Sequence, residues 1–167
     1  MKIKREALVS EYITDALLIL MSKKSYKDIT VTEICEKAGV TRMSFYRNFE
    51  TKEDILKKHI SGITDRFIAD SGISYSNDSL YEYFLKLFTH LDSNKNLCMS
   101  VYKAGEIHIV KGEFDRVFLS LHTGEYDDFK SYFLAGGIYN VFLLWLENGC
   151  KEKPEELAGR LDRLFER

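Results

Sequence analysis

Apolar residues recur along this chain at helical spacing from one end to the other. Leu8, Tyr12, Ala16 and Leu20 stand four apart, with Val9, Ile13 and Leu17 alongside, so one wide apolar stripe predicts a helix over residues 5–22. A polar loop, residues 23–28, follows. Two short helices are then predicted over 31–38 and 42–48, and a longer one from Thr51 to about residue 69 with Ile55, Leu56, Ile60, Ile63 and Phe67 on one side. Residues 71–78, rich in Ser, Gly and Asn, read as a linker. Beyond them, Tyr83, Phe84, Leu87, Phe88 and Leu91 mark another helix, a loop is expected over 92–96, and helices over 97–104 and 106–121, the latter weakened at Gly112. Thr123-Gly124 breaks the pattern. Residues 127–148 are dense in large apolar side chains up to a stop at Gly149, and Pro154 opens a last helix carrying Leu157, Leu161, Leu164 and Phe165. No strand pattern competes, and the expected fold is all-α.

The segment Ile29–Ile60 carries the sharpest local signals. Thr30 with Glu33 three residues on is a capping box, and Ile29 with Ile34 can form the hydrophobic staple around it. Gly39 can turn the chain at the helix end. Thr41 is placed to cap a second helix two residues later, and Thr51 with Asp54 a third. Ser79 and Glu82 repeat the capping-box pattern further on. Two short helices joined by a glycine-containing turn are the pattern of a helix-turn-helix, whose second helix enters the DNA major groove. In that arrangement Ile34, Ala38, Val40, Phe45 and Phe49 pack inward. The candidate DNA-contacting residues are Thr32, Thr41, Arg42, Met43, Ser44, Tyr46, Arg47, Asn48 and Lys52. Arg42 can donate two hydrogen bonds to a guanine, Thr41 and Ser44 can bond bases or phosphates, Met43 can meet a thymine methyl, and Tyr46 and Lys52 can reach the backbone.

Composition agrees with a soluble globular chain: 45% hydrophobic and 30% charged over 167 residues, with one proline. The net charge of −2 conceals an asymmetry, because residues 1–60 hold 12 basic and 9 acidic side chains while the remainder holds 12 and 17. A basic N-terminal part on an acidic body fits DNA contact at one end. No apolar run is long enough to span a membrane, and the N-terminus lacks a signal-peptide core, so a cytoplasmic protein is expected. Cys35, Cys98 and Cys150 are odd in number and far apart, as reduced thiols would be. His59, His90, His108 and His122 are dispersed without metal-ligand spacing, and there is no phosphate loop or nucleophile elbow. Neither a metal, a cofactor nor an enzymatic activity is expected.

The run Gly39-Val40-Thr41-Arg42-Met43-Ser44-Phe45-Tyr46-Arg47-Asn48-Phe49-Glu50-Thr51-Lys52-Glu53-Asp54-Ile55-Leu56 resembles the signature of the TetR family of bacterial transcriptional regulators. The matching features are the Gly-Val turn, the short polar recognition helix, the Tyr46-x-x-Phe49 ending and the Thr51-Lys52-Glu53 start of the next helix. Asn48 stands where many members have His, and Met43 where a small residue is frequent. The resemblance implies that Tyr46 and Lys52 contact phosphates and that Thr41, Arg42, Met43 and Ser44 face the groove. It implies an N-terminal three-helix DNA-binding domain, residues 1–50, and a C-terminal helical ligand-binding and dimerisation domain, residues 51–167.

Residues 133–139, 145–149 and 154–157 are also similar to the last two helices of many members, which pair with their copies in a four-helix dimer interface. This implies a homodimer with Ala135, Gly136, Tyr139, Leu157 and Leu161 at the interface. Tyr102, His108 and Trp145 are the candidates for lining an effector pocket. The expectation is a dimeric regulator, a repressor, on a palindromic double-stranded DNA operator, responding to a small-molecule effector. The alternative is a helical protein-interaction regulator or activator controlled by a protein partner.

Overall fold

The computed structural model describes residues 2–73, 78–121 and 128–165. Among them the secondary structure is helical without a strand: α1 (Lys2–Met21), a 3-10 turn (Tyr26–Asp28), α2 (Val31–Ala38), α3 (Arg42–Asn48), α4 (Lys52–Ser71), α5 (Leu80–Ser93), α6 (Lys95–Lys103), α7 (Ile107–Leu121), α8 (Asp128–Glu147) and α9 (Pro154–Phe165). The expected break at Thr123-Gly124 and half of the expected linker, residues 74–77, lie outside the described residues.

The chain forms two compact units, Met1–Ile63 with Lys103–Gly105, and Thr64–Tyr102 with Glu106–Arg167. The division falls inside α4, whereas the sequence reading put it at residue 50, where that helix begins. Residues Ile55, Leu56 and Ile60 explain the shift: all three are buried, so the first half of α4 belongs to the hydrophobic core of the first unit.

In the first unit, α1 packs on α2 and α3. Ile13, Leu17, Ile34, Phe45, Ile55 and Leu56 are fully buried. The α1 stripe is narrower than its periodicity suggested, since Leu8 and Tyr12 are exposed while Ile13, Ala16 and Leu17 carry the packing. The polar loop after α1 contains the 3-10 turn, which buries the Tyr26 ring.

In the second unit α5 packs along α9 and α7 along α8. Tyr83, Phe84, Phe88, Phe118, Phe142 and Trp145 are its largest fully buried side chains. They meet at aromatic distances: Phe114–Phe142 at 5.3 Å, Tyr83–Phe118 at 6.2 Å, Phe88–Trp145 and Phe142–Trp145 at 6.4 Å. The loop expected over 92–96 shrinks to Asn94. Its side-chain amide donates to the His90 carbonyl at 2.9 Å and its backbone N–H to the same carbonyl at 3.2 Å, closing α5 just before α6 starts. Ile73, assigned to the linker from sequence, is buried. At the end of α8, Cys150 N–H donates to the Trp145 carbonyl at 2.8 Å and Gly149 N–H to Leu146 at 2.9 Å, with Gly149 at φ 76° and Cys150 at φ 54°. These are the bonds of a Schellman ending, which the expected glycine stop makes possible.

Candidate nucleic-acid interface

The local geometry of α2, the turn and α3 follows from their caps. Thr30 Oγ1 accepts from Glu33 N–H at 3.2 Å, and the Glu33 carboxylate accepts from Thr30 N–H at 2.9 Å, so the capping box is complete. Lys24 Nζ adds a 2.7 Å ion pair to the other Glu33 oxygen. That ammonium, together with the Thr30 backbone N–H and hydroxyl, holds the Glu33 carboxyl down at about 2. Both staple residues, Ile29 and Ile34, are buried. Gly39 adopts φ 67°, in the left-handed region where a side chain is strained, and the following Val40 N–H bonds back to Cys35 at 3.0 Å. Two residues later Thr41 caps α3, its hydroxyl accepting from Ser44 N–H at 3.1 Å and lying 3.0 Å from the Ser44 hydroxyl.

Two rings hold α3 in place. Phe45 is fully buried and Phe49 nearly so, their centroids 6.1 Å apart. Between and beside them the opposite face stays open. Met43 is 68% exposed and Tyr46 60%, and Thr41, Arg42 and Arg47 are exposed. The Tyr46 ring meets Phe45 edge-on at 5.3 Å, which steadies it on the surface.

The nine sequence-selected residues are not equally free. Thr32 is half-buried on α2, and its hydroxyl accepts a hydrogen bond from Arg42 Nη2, linking the two helices of the motif. Arg47 Nη2 lies 3.6 Å from Met43 Sδ, one turn back along α3. Asn48 is half-buried and its amide donates to the Ser44 carbonyl at 2.7 Å. Lys52 is also half-buried: its ammonium donates to the carbonyls of Tyr26 at 2.6 Å, Ile29 at 2.9 Å and Lys27 at 3.3 Å, and lies 4.4 Å from the Tyr26 ring centroid. The sequence placed this ammonium toward DNA, while the structure turns it onto the end of the 3-10 turn. Thr51 Oγ1 accepts from Asp54 N–H at 3.1 Å, but the Asp54 carboxylate accepts from Glu50 N–H at 3.2 Å rather than from Thr51, so this third capping box is incomplete. Lys58, absent from the sequence selection, donates to the Asn48 carbonyl at 2.7 Å at the end of α3 and lies 5.1 Å from the Phe49 ring centroid.

The candidates in the second unit are distributed differently from expectation. Trp145 is a core residue, 1% exposed, with Nε1 donating to the Glu152 carbonyl at 3.0 Å. Tyr102 is half-buried, its hydroxyl 3.4 Å from a Glu147 oxygen, and His108 is exposed beside Glu106. A shallow groove of about 170 Å3 between α8 and α9 is lined by Val141, Leu144, Leu157, Leu161 and Leu164 and by an edge of Trp145, and by neither Tyr102 nor His108.

Of the residues expected at a dimer interface, Ala135, Tyr139, Leu157 and Leu161 are buried inside this chain and Gly136 is half-buried. The physical reason is helix phase. Side chains at 100° intervals put Ala135, Ile138, Tyr139 and Phe142 on the inward side of α8, and Phe129, Phe133, Gly137, Asn140 and Leu144 on the outward side. Phe129 is 88% exposed, Phe133 77%, and Leu164 on α9 74%. The signal for this second face was the even spread of apolar residues around α8, since a helix apolar on all sides has two faces to cover.

A tri-helical head with a helix-turn-helix whose outer face is open, joined in sequence to a helical C-terminal domain, defines a DNA-binding transcriptional regulator. Residues 13–58 match the model of the bacterial regulatory proteins of the tetR family, and residues 78–167 match a transcriptional regulator C-terminal region of the same family. The chain belongs to the TetR family of bacterial transcriptional regulators.

It is 23% identical over 150 residues to the HTH-type negative transcriptional regulator IcaR of the biofilm operon icaADBC of Staphylococcus epidermidis, covering 83% of this chain and 80% of that protein. It is 26% identical over 164 residues to the HTH-type transcriptional regulator YxbF of Bacillus subtilis, covering 92% of this chain and 42% of that longer protein. A shorter match, 39% over 49 residues, covers 29% of this chain and 26% of the Bacillus subtilis regulator YvkB. Regulators of this family bind DNA and usually act as dimers, and among the described residues no helix is long and apolar enough to cross a membrane.

Proposed function

We propose that this chain is a repressor that binds a near-palindromic operator as a homodimer, α3 of each subunit entering the major groove. The observation that carries this reading is the division of α3 into a buried face, Phe45 and Phe49, and an open face bearing Arg42, Met43, Tyr46 and Arg47. Such a helix is rigid where it packs and available where it meets base edges. Repression rather than activation is supported by the likeness to IcaR, a negative regulator. Two recognition helices bound to successive groove faces stand about 34–36 Å apart, or a multiple of that.

The dimer face in this reading is the outward side of α8, from Phe129 through Phe133 and Gly137 to Leu144, together with Leu164 of α9. An isologous contact brings the same stripe of both copies together. At Gly136 and Gly137 an added Cβ would meet nothing within 4 Å in this chain, which leaves room for a partner helix to approach closely.

Control of DNA binding in this reading falls to the second unit, through a small-molecule effector or a partner protein. Among the described residues of that unit, the core aromatic rings next to Phe142 and Trp145 meet them edge-on or tilted, and a groove of about 170 Å3 lies between α8 and α9. Whatever binds there changes DNA affinity through its different affinity for the two states of the protein.

Fluorescence anisotropy with duplexes from the chain's own upstream region tests the reading. Arg42→Ala and Tyr46→Phe are expected to weaken binding with the fold intact. Unchanged binding by both variants would remove α3 as the recognition helix.

A further inference from the structure

We propose that Met43, braced by Arg47, reads the 5-methyl group of one thymine in each operator half-site. This rests on the assignment of α3 to the major groove made above, and it names the base that the groove contact selects.

The open face of α3 has an unusual balance. At its first turn, where recognition helices meet base edges, an apolar thioether stands 68% exposed beside Arg42. The polar groups around it are engaged inside the motif. The Thr41 and Ser44 hydroxyls face each other at 3.0 Å, the Asn48 amide bonds the Ser44 carbonyl at 2.7 Å, and the Arg42 guanidinium is held by Thr32. A guanidinium has five N–H donors, so Arg42 keeps donors for a base, yet its direction is set by Thr32.

An unbranched methionine loses rotamer freedom when it is pinned against a base. Here part of that freedom is already removed, because Arg47 Nη2 sits 3.6 Å from the sulfur one helical turn along. Met43 thus presents an apolar side chain, 68% exposed, on the open face of α3. In the major groove the thymine methyl is the apolar feature that distinguishes one base from the others. An apolar tip with no hydrogen-bonding capacity beyond a weak sulfur acceptor discriminates at that feature and at no other. Tyr46, three residues on and 60% exposed, stands beside it with a hydroxyl that suits a phosphate.

The test uses the full-length protein and a duplex enriched by it from a random library. Each thymine of that duplex is replaced singly by deoxyuridine, which removes the methyl and nothing else. The expected result is one position per half-site where the replacement weakens binding about 3- to 5-fold, the value of burying one methyl group. Met43→Ala should bind more weakly and lose this sensitivity, whereas Met43→Leu, which restores apolar bulk, should regain it. Equal binding of all uracil-substituted duplexes would overturn the proposal, and so would undiminished uracil sensitivity in Met43→Ala. Enrichment of no duplex at all would overturn the DNA-binding reading beneath it, an outcome distinct from enrichment of a duplex indifferent to uracil.

Discussion

Lys52 closes a loop in the first unit by placing its ammonium 2.6 Å from the Tyr26 carbonyl and 4.4 Å from the centroid of the same residue's ring. The bond spans 26 positions of sequence, and two further carbonyls, of Ile29 and Lys27, complete the cradle. It ties the first turn of α4 to the segment that enters α2, and so holds the base of the DNA-binding motif.

Removal of that ammonium is therefore expected to act on stability. Lys52→Ala should lower stability by about 2 kcal/mol, the usual size of a hydrogen bond to a charged group. In a chain of this size that corresponds to a thermal midpoint about 4–8 °C lower. Thermal unfolding of the variant, paired with the salt dependence of its DNA binding, checks the assignment. An unchanged midpoint with a salt slope reduced by about one would instead make Lys52 a phosphate contact.

Glu33 predicts an acid limb for the first unit. Its folded-state pKa, about 2 against a usual 4.5, is depressed by Lys24 and by Thr30. A depressed carboxyl contributes stability that is present above the unfolded value and lost as pH falls through the folded one. Urea midpoints should fall between pH 4.5 and 2, and the fall should be shallower in Glu33→Gln, which is also less stable at neutral pH.

Adjacent residues on α3 should respond in opposite ways. Phe45→Ala removes a fully buried ring and is expected to cost about 3–5 kcal/mol, a large share of the stability of a small domain. Tyr46→Phe deletes one hydroxyl from a surface ring and should alter stability by no more than about 0.5 kcal/mol while weakening DNA binding. Denaturant melts and anisotropy on the two variants separate packing from recognition.

On α8, helix phase predicts which substitutions affect assembly. Phe133→Glu puts a charge on the outward stripe and should yield a folded monomer by sedimentation or light scattering, with operator affinity reduced. Tyr139→Ala, on the inward side where Tyr139 meets Phe114 at 5.6 Å, should lower the melting temperature and leave the assembly state of the folded fraction unchanged.

Much of the first unit was legible in the sequence because its signals are short-range. A capping box joins residues three apart, a staple joins residues five apart, and a left-handed turn needs one glycine, so Thr30, Glu33, Ile34, Gly39 and Thr41 could be assigned their parts without the rest of the chain. The same locality yielded the spans of α2 and α3, the open face of α3, the Ser79–Glu82 box and the stop at Gly149. The TetR signature, confined to consecutive residues, belongs with them.

The tertiary structure decided what depends on partners distant in the chain. Periodicity identified α8 as strongly apolar but left open which of its sides packs inward, because a helix apolar all round has no phase of its own. Contact with α7 turned Tyr139 in and Phe133 out. Trp145 was a candidate for lining an effector pocket until Phe88, Phe142 and the Glu152 carbonyl surrounded it. Lys52 was a cation at a helix start until the carbonyls of Tyr26, Lys27 and Ile29 came within its reach. Hydrogen bonds within a turn follow from neighbouring residue types, whereas the destination of a long side chain follows from which backbone the fold brings beside it.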